Sequence, residues 1–211
     1  MSVARRWGWA WFWLIVAVAA AWFLTDSFAF IASREVPMGE TLWGRRVWYV
    51  AHVALAIPVL LIAPIQFAAS VRARWPWLHR ALGRAYLGAS MLAGLFALHL
   101  GSTIAAQETQ VPLTLFAAVW LGFVLLAWQA ARRRRFDVHR AFVIRATAIA
   151  LSFVWVRMMA AGGGVLLGFI ENAELRAATR GWLSFVLPLL VVEAWLSWWP
   201  SAKPLFAPRR D

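Results

Sequence analysis

Six apolar runs, each close to the length that crosses a lipid bilayer as a helix, alternate with short polar segments along the chain. They cover residues 11–31, 47–69, 85–106, 111–131, 141–163 and 181–199. Pro58 and Pro64 predict a kink in the second run, and Pro200 closes the last one. The pattern predicts an all-α, polytopic membrane helical bundle with six transmembrane helices, forming a single domain over residues 1–211.

Composition supports this class of protein. The chain is 63% hydrophobic, which on a soluble domain would leave large apolar patches exposed to water. It has no cysteine, which excludes disulfides, thiolate metal ligands and iron–sulfur clusters. Its net charge of +12 lies mostly between the apolar runs, where basic residues orient helices. Membrane lipid is therefore the expected partner, and nucleic acid is not.

A basic, histidine-bearing segment occurs twice, and we refer to residues 72–84 and 132–145 as the two hinges. Both contain His-Arg-Ala followed by an apolar residue, beginning at His79 and at His139. The repeat predicts a duplicated helix-loop-helix module. Helices two to five would then form a four-helix core over residues 47–163, built as two similar helical hairpins. The first and sixth helices would be peripheral.

The basic residues also predict the orientation of the bundle. With Arg157 set aside because it lies inside an apolar run, fifteen lysines and arginines fall on the side of the hinges and five on the opposite side. The positive-inside rule places the more basic loops in the cytoplasm. Both termini and both hinges are therefore predicted to be cytoplasmic.

The four histidines form two pairs by depth. His52 and His99, the far pair, lie near the predicted outer ends of the second and third helices, whereas His79 and His139, the hinge pair, head the helices that follow the hinges. Neutral imidazole ligates haem iron, and bundle interiors hold such cofactors. A b-type haem needs no cysteine attachment site. The pattern predicts a haem b between His52 and His99, and it indicates a second metal site at His79 and His139.

The spacing along the third helix favours one haem over two. His79 and His99 are 20 residues apart, which is about 30 Å along a helix, and they face different directions. Alternative interpretations remain for each pair. The far pair could be hydrogen-bonded to neighbouring helices, and the hinge pair could contact water or lipid phosphate.

Further polar residues interrupt the apolar runs. Arg157 is an isolated guanidinium deep in the fifth helix, where charge is expensive. A haem propionate, a quinone carbonyl or an acid such as Asp26 would satisfy it. Gln66 and Glu193 lie toward the hinge side, where they indicate bonds between helices or a proton path.

The order of these residues resembles a bacterial family of multi-pass membrane proteins known as domain of unknown function 2306. The resemblance covers about residues 48–160. It is carried by His52, Ala-Pro-Ile-Gln-Phe at 63–67, Arg72, Arg74, His-Arg-Ala-Leu-Gly-Arg-Ala-Tyr at 79–86, Trp120, His139, Arg140 and Arg157. It implies a shared fold and a location in the bacterial inner membrane, and it brings no established activity.

A second likeness is to two-haem transmembrane b-type cytochromes that take electrons from ascorbate, which also have six helices and four core histidines paired by depth. Three functions stay open. The first is an electron-transfer protein that binds haem b and exchanges electrons with quinone. The second is a non-catalytic structural or assembly subunit of a membrane complex. The third is a carrier for a small solute or metal. The lack of a polar path joining the two pairs of histidines counts against a carrier.

Overall fold

The computed structural model describes residues 3–32, 46–104, 106–162 and 166–206, and every regular element within them is helical. The helices are α1 (Val3–Ala32), α2 (Arg46–Phe67), α3 (Ala69–Arg74), α4 (Pro76–Ser102), α5 (Gln107–Arg132), α6 (Phe136–Ala150), α7 (Ser152–Ala161) and α8 (Ala173–Glu193). The last continues through a π-helical turn (Ala194–Trp198) into α9 (Trp199–Ala202) and a 3-10 turn (Lys203–Phe206).

Five helical segments are long and apolar enough to cross a membrane. They are Arg46–Phe67, Pro76–Ser102, Gln107–Arg132, Phe136–Ala160 and Ala173–Phe206. α1 is a 30-residue helix whose described apolar stretch is Trp11–Trp22, and it is not one of these five. The protein is thus an all-helical membrane protein with five candidate spans among its described residues, and the count of six stays a prediction.

The helices that follow the hinges begin earlier than the apolar runs indicated. α4 begins at Pro76 and α6 at Phe136, before the predicted spans at residues 85 and 141 and three residues before His79 and His139, which were predicted to head these helices. Proline is favoured in the first helical turn, where its missing N–H is not needed. The prediction followed apolarity alone and therefore left out the polar first turns of both helices.

Neighbouring helices pack in sequence order. α2 packs on α4, α4 on α5, and α5 on α6, while α6 also contacts α2; α8 lies against α5, α6 and α7, and α1 against α7 and α2. The largest cluster of buried apolar side chains comes from α2, α4, α5 and α6, and it includes Val59, Ala63, Tyr86, Ala93, Trp120, Val124, Ala127, Ala146 and Ile149. α4 and α6 therefore meet across the interior of this group and not side by side.

A hydrogen bond bridges that interior. The Oη atom of Tyr86 lies 2.7 Å from Oγ1 of Thr147, and the Thr147 hydroxyl donates to the carbonyl of Val143 at 2.8 Å. Tyr86 is therefore the donor to Thr147. A threonine that bonds back along its own helix tends to bend it, and the helical run breaks four residues later, at Leu151 between α6 and α7.

Large apolar side chains cover much of the outside. Leu61, Leu92 and Leu125 are each at least half exposed on helices that meet the criteria for a membrane span. In water such a surface would favour aggregation, whereas in a bilayer it faces lipid tails of matching polarity. The exposed side chains agree with a protein whose solvent is lipid.

Candidate functional site

The hinge pair occupies equivalent positions in two helices. The backbone N–H of His79 donates to Trp75 O at 3.0 Å, and that of His139 donates to Arg135 O at 2.9 Å. Trp75 and Arg135 are the residues immediately before α4 and α6, so each histidine is the fourth residue of its helix. The repeated sequence thus forms the same local structure twice.

The hinge pair therefore stands in the first turns of α4 and α6. The Nδ1 atom of His139 lies 2.8 Å from the carbonyl oxygen of Ala127 on α5. Because a carbonyl only accepts, Nδ1–H is the donor, and Nε2 of the neutral ring keeps its lone pair.

His79 differs from its partner in one respect that matters for binding. Its Nδ1 atom is buried and has no hydrogen-bond partner among the described residues. Its backbone carbonyl accepts from Nε2 of Gln66 at 3.2 Å, which ties α2 to the start of α4. A buried nitrogen without a partner costs about 1–3 kcal/mol, so a group that satisfies it is favoured.

An ion pair joins α6 to the end of α8. Arg145 contacts both carboxylate oxygens of Glu193, with 2.9 Å between Nη2 and Oε2, and Ser197 donates to the same Oε2 at 2.9 Å. The side chains are only 16% and 31% exposed. The bonds between helices predicted for Gln66 and Glu193 are thereby confirmed, although Arg145 was not recognised as the partner of Glu193.

The far pair lies at the interface between α2 and α4. The Nδ1–H group of His52 donates to Ala93 O at 2.9 Å, and Nε2 has no partner among the described residues. The ring of His99 lies against Trp48, with 4.1 Å between centroids, and Trp48 also contacts Phe96 at 5.5 Å. Both imidazoles are therefore already engaged, one by a backbone carbonyl and the other by an indole.

The two pairs differ in how their imidazoles are held. At the far pair His52 is tethered through Nδ1, and the Trp48 indole lies against the His99 ring. At the hinge pair His139 is tethered through Nδ1, and the Nδ1 atom of His79 has no partner among the described residues. No three His, Asp or Glu side chains converge within the described ranges, so those ranges offer no site for a bare ion such as zinc.

A cavity of about 110 Å³ adjoins His52 on the side of α1 and α7. It lies between those two helices and α2, and its wall includes Leu24, Tyr49, His52, Val53, Ala56 and Phe153. Pockets for cofactors are typically about 300–1,000 Å³. This cavity is too small for a porphyrin and large enough for a small ring.

Arg157 belongs to α7, but its side chain lies outside the described part of the structure, as does that of Asp26. The predicted partner of Arg157 therefore stays a prediction. Sequence reasoning also missed the bridge from Tyr86 to Thr147. The available signal was that the chain has only two tyrosines, Tyr49 and Tyr86, and that both lie inside apolar runs.

A family model described as a predicted membrane protein (DUF2306) matches residues 49–196. The chain belongs to this family. The match contains all four histidines, and the resemblance carried by the hinge motif is confirmed. No curated protein and no solved structure matches the chain. The likeness of this DUF2306 protein to two-haem cytochromes therefore stays a prediction.

Proposed function

We propose that this DUF2306 protein is an integral membrane electron-transfer protein that binds haem b through the hinge pair. One observation carries the proposal: the enclosed Nδ1 atom of His79 has no hydrogen-bond partner among the described residues. Metal-ligating histidines usually hold their second nitrogen on a carbonyl or carboxylate. His139 has this arrangement through Ala127, which leaves its Nε2 for a ligand.

A haem held there would supply a reversible one-electron centre. The chain's own residues would orient and enclose it. Gln66 fixes the backbone of His79, and the bridge between Tyr86 and Thr147 closes the interior beyond the pair. Arg72 and Arg80, which lie in the same hinge as His79, provide cations for the carboxylates that such a ligand carries.

The architecture that accompanies this function has six transmembrane helices and a core of two similar hairpins over residues 47–163. Both termini and both hinges lie on the cytoplasmic side of the bacterial inner membrane, because fifteen basic residues lie on that side and five lie on the opposite side. Electrons are exchanged with quinone. A reporter fused within residues 166–172, the segment before α8, should read as periplasmic, and a cytoplasmic reading there would overturn this orientation.

The far pair is the second place for a haem. His52 is tethered to Ala93 in the way that His139 is tethered to Ala127, with Nε2 left over in both cases. The Trp48 indole lies against the His99 ring. The hinge pair is the first choice because it holds the enclosed nitrogen that has no described partner.

A structural or assembly subunit of a membrane complex is the alternative function. The ion pair between Arg145 and Glu193 and the tethered histidines favour it, because they lock helices together without requiring a ligand. In that case His79 and His139 serve only to fix the ends of the helices.

The deciding experiment is a reduced-minus-oxidised absorption spectrum of the full chain, purified in mild detergent from cells supplied with a haem precursor. A b-type spectrum with close to one haem per chain supports electron transfer. A protein that elutes as a folded species with no haem absorbance contradicts the proposal and leaves the structural alternative.

A further inference from the structure

The geometry points to the cavity beside His52 as a binding site for the ring of a benzoquinol in its reduced, hydroxyl-bearing form. The inference deepens the proposed function, on which it rests for the use of the electrons that a quinol carries. Binding itself requires only the cavity and His52.

The chemistry of the site follows from the contact between His52 and Ala93. The carbonyl oxygen of Ala93 cannot donate, so in the neutral imidazole Nδ1 is the donor and Nε2 is an acceptor. His52 lines the cavity, and its Nε2 has no partner among the described residues. A ligand that enters the cavity and satisfies this atom must therefore donate a hydrogen bond.

The cavity wall determines the rest of the ligand. Among the described residues the lining other than His52 and Tyr49 is apolar, with Leu24 from α1, Val53 and Ala56 from α2, and Phe153 from α7. Its volume is about 110 Å³, below the roughly 150 Å³ of an apolar protein cavity that accepts one benzene. The pocket is partly open, so the hydroxyl-bearing edge of a single six-membered ring can enter while its substituents stay outside, whereas a fused two-ring headgroup is too large.

Water and lipid tails suit the site less well. A buried water needs about two to four polar partners, and the described part of the lining offers only the minimum, His52 and Tyr49. An acyl chain has no donor and would leave Nε2 of His52 unsatisfied in an apolar surrounding. A ring bearing a hydroxyl group satisfies both the apolar wall and the acceptor.

The acceptor at His52 predicts a preference between two ligands of nearly the same shape. A benzoquinol offers hydroxyl donors, which can bond to the lone pair of Nε2. The corresponding benzoquinone offers only acceptors, which cannot form a hydrogen bond with that lone pair. With the protein free of haem, under anaerobic conditions, we expect decylbenzoquinol to bind about tenfold more tightly than decylbenzoquinone, as one lost hydrogen bond implies. Tryptophan fluorescence titration of the full chain in detergent measures both dissociation constants.

Three variants test the assignment. His52→Phe keeps an aromatic ring and removes the acceptor, so it should equalise the two dissociation constants. Ala56→Phe fills the cavity and should weaken both ligands by about tenfold or more. His99→Phe, the matched control, changes a histidine at the same interface that does not line the cavity, and it should keep the wild-type preference.

The inference is overturned if the wild-type protein shows no preference for the quinol, or if His52→Phe retains the preference. It is equally overturned if Ala56→Phe, eluting as the wild-type protein does, binds both ligands unchanged. Because the titration uses protein without haem, the absence of a haem spectrum contradicts the proposed function and leaves this measurement unaffected.

Discussion

The two ends of the bundle each hold a pair of histidines, and the two pairs are held in different ways. At the hinge end His79 and His139 come from α4 and α6, which meet across the interior, and one enclosed nitrogen has no described partner. At the far end His52 and His99 come from adjacent helices and are engaged by Ala93 and Trp48.

This difference shows that two side chains at the same depth in the bundle need not face each other. Two residues at the same depth can ligate one metal only if their helices leave a gap between the rings. Side chains fill the space between neighbouring helices in close contact, and at the far end Trp48 lies against the His99 ring. Helices that meet across the interior have the bundle core between them, which is where cofactors are held in bundles.

The largest expected effect distinguishes the two pairs directly. His79→Ala or His139→Ala should abolish haem absorbance, because each removes an axial ligand. His99→Ala should retain it, because at the far end that ring is held by stacking on Trp48. Absorption spectra of the purified variants at equal protein concentration measure this effect. Loss of haem in His99→Ala with retention in His79→Ala would transfer the site to the far pair.

A second prediction concerns the stability that the ion pair at the hinge end provides, and it does not depend on any ligand. Glu193→Ala leaves the guanidinium of Arg145 partly buried and unpaired, and this should lower the free energy of unfolding by about 3 kcal/mol. Thermal or detergent-induced unfolding of the purified protein measures the loss. Glu174→Gln, which changes an exposed carboxylate at the start of the same helix, should shift stability by less than about 0.5 kcal/mol. Equal losses in the two variants would show that the ion pair does not hold α8.

A third prediction tests the close helix contact at the far end. A Cβ atom at Gly101 would lie 2.9 Å from the backbone nitrogen of Thr114, whereas one at Gly88 meets nothing within 4 Å. Gly101→Ala should therefore cost about 2 kcal/mol of stability through overpacking. Gly88→Ala should be neutral or stabilise by up to about 1 kcal/mol through its better helix propensity. Unfolding curves in which the two substitutions behave alike would contradict the close approach of α4 and α5.

The smallest expected effect concerns the bridge across the interior. Tyr86→Phe removes a hydroxyl that donates to Thr147 and should cost about 1 kcal/mol, since Thr147 keeps its bond to Val143. If the bridge supports the hinge pair, the same variant should also weaken haem retention in spectra recorded after repeated washing. A double variant, Tyr86→Phe with Thr147→Val, should lose less than the sum of the two single changes. Strict additivity would mean that the two hydroxyls do not interact.

Several features of the fold could be predicted from the sequence alone. The second and fourth apolar runs, 47–69 and 111–131, correspond closely to α2 (Arg46–Phe67) and α5 (Gln107–Arg132). Hydropathy succeeds here because a helix in lipid satisfies its own backbone, so the length of the apolar run determines the length of the span. The repeat around His79 and His139 likewise predicted two equivalent helix starts, since similar local sequences form similar first turns.

The arrangement of the candidate sites required the tertiary structure. His52 and His139 are both held by backbone carbonyls, which every residue possesses, so no residue type in the sequence marks the partner. In the sequence Arg145 is one of the basic residues of the second hinge. Only the packing of α6 against α8 shows that it pairs with Glu193. Whether two histidines of equal depth face each other depends on which helices adjoin and how closely they approach. The side chains at each interface set the distance between the helices, and the apolar pattern along one helix does not predict that distance.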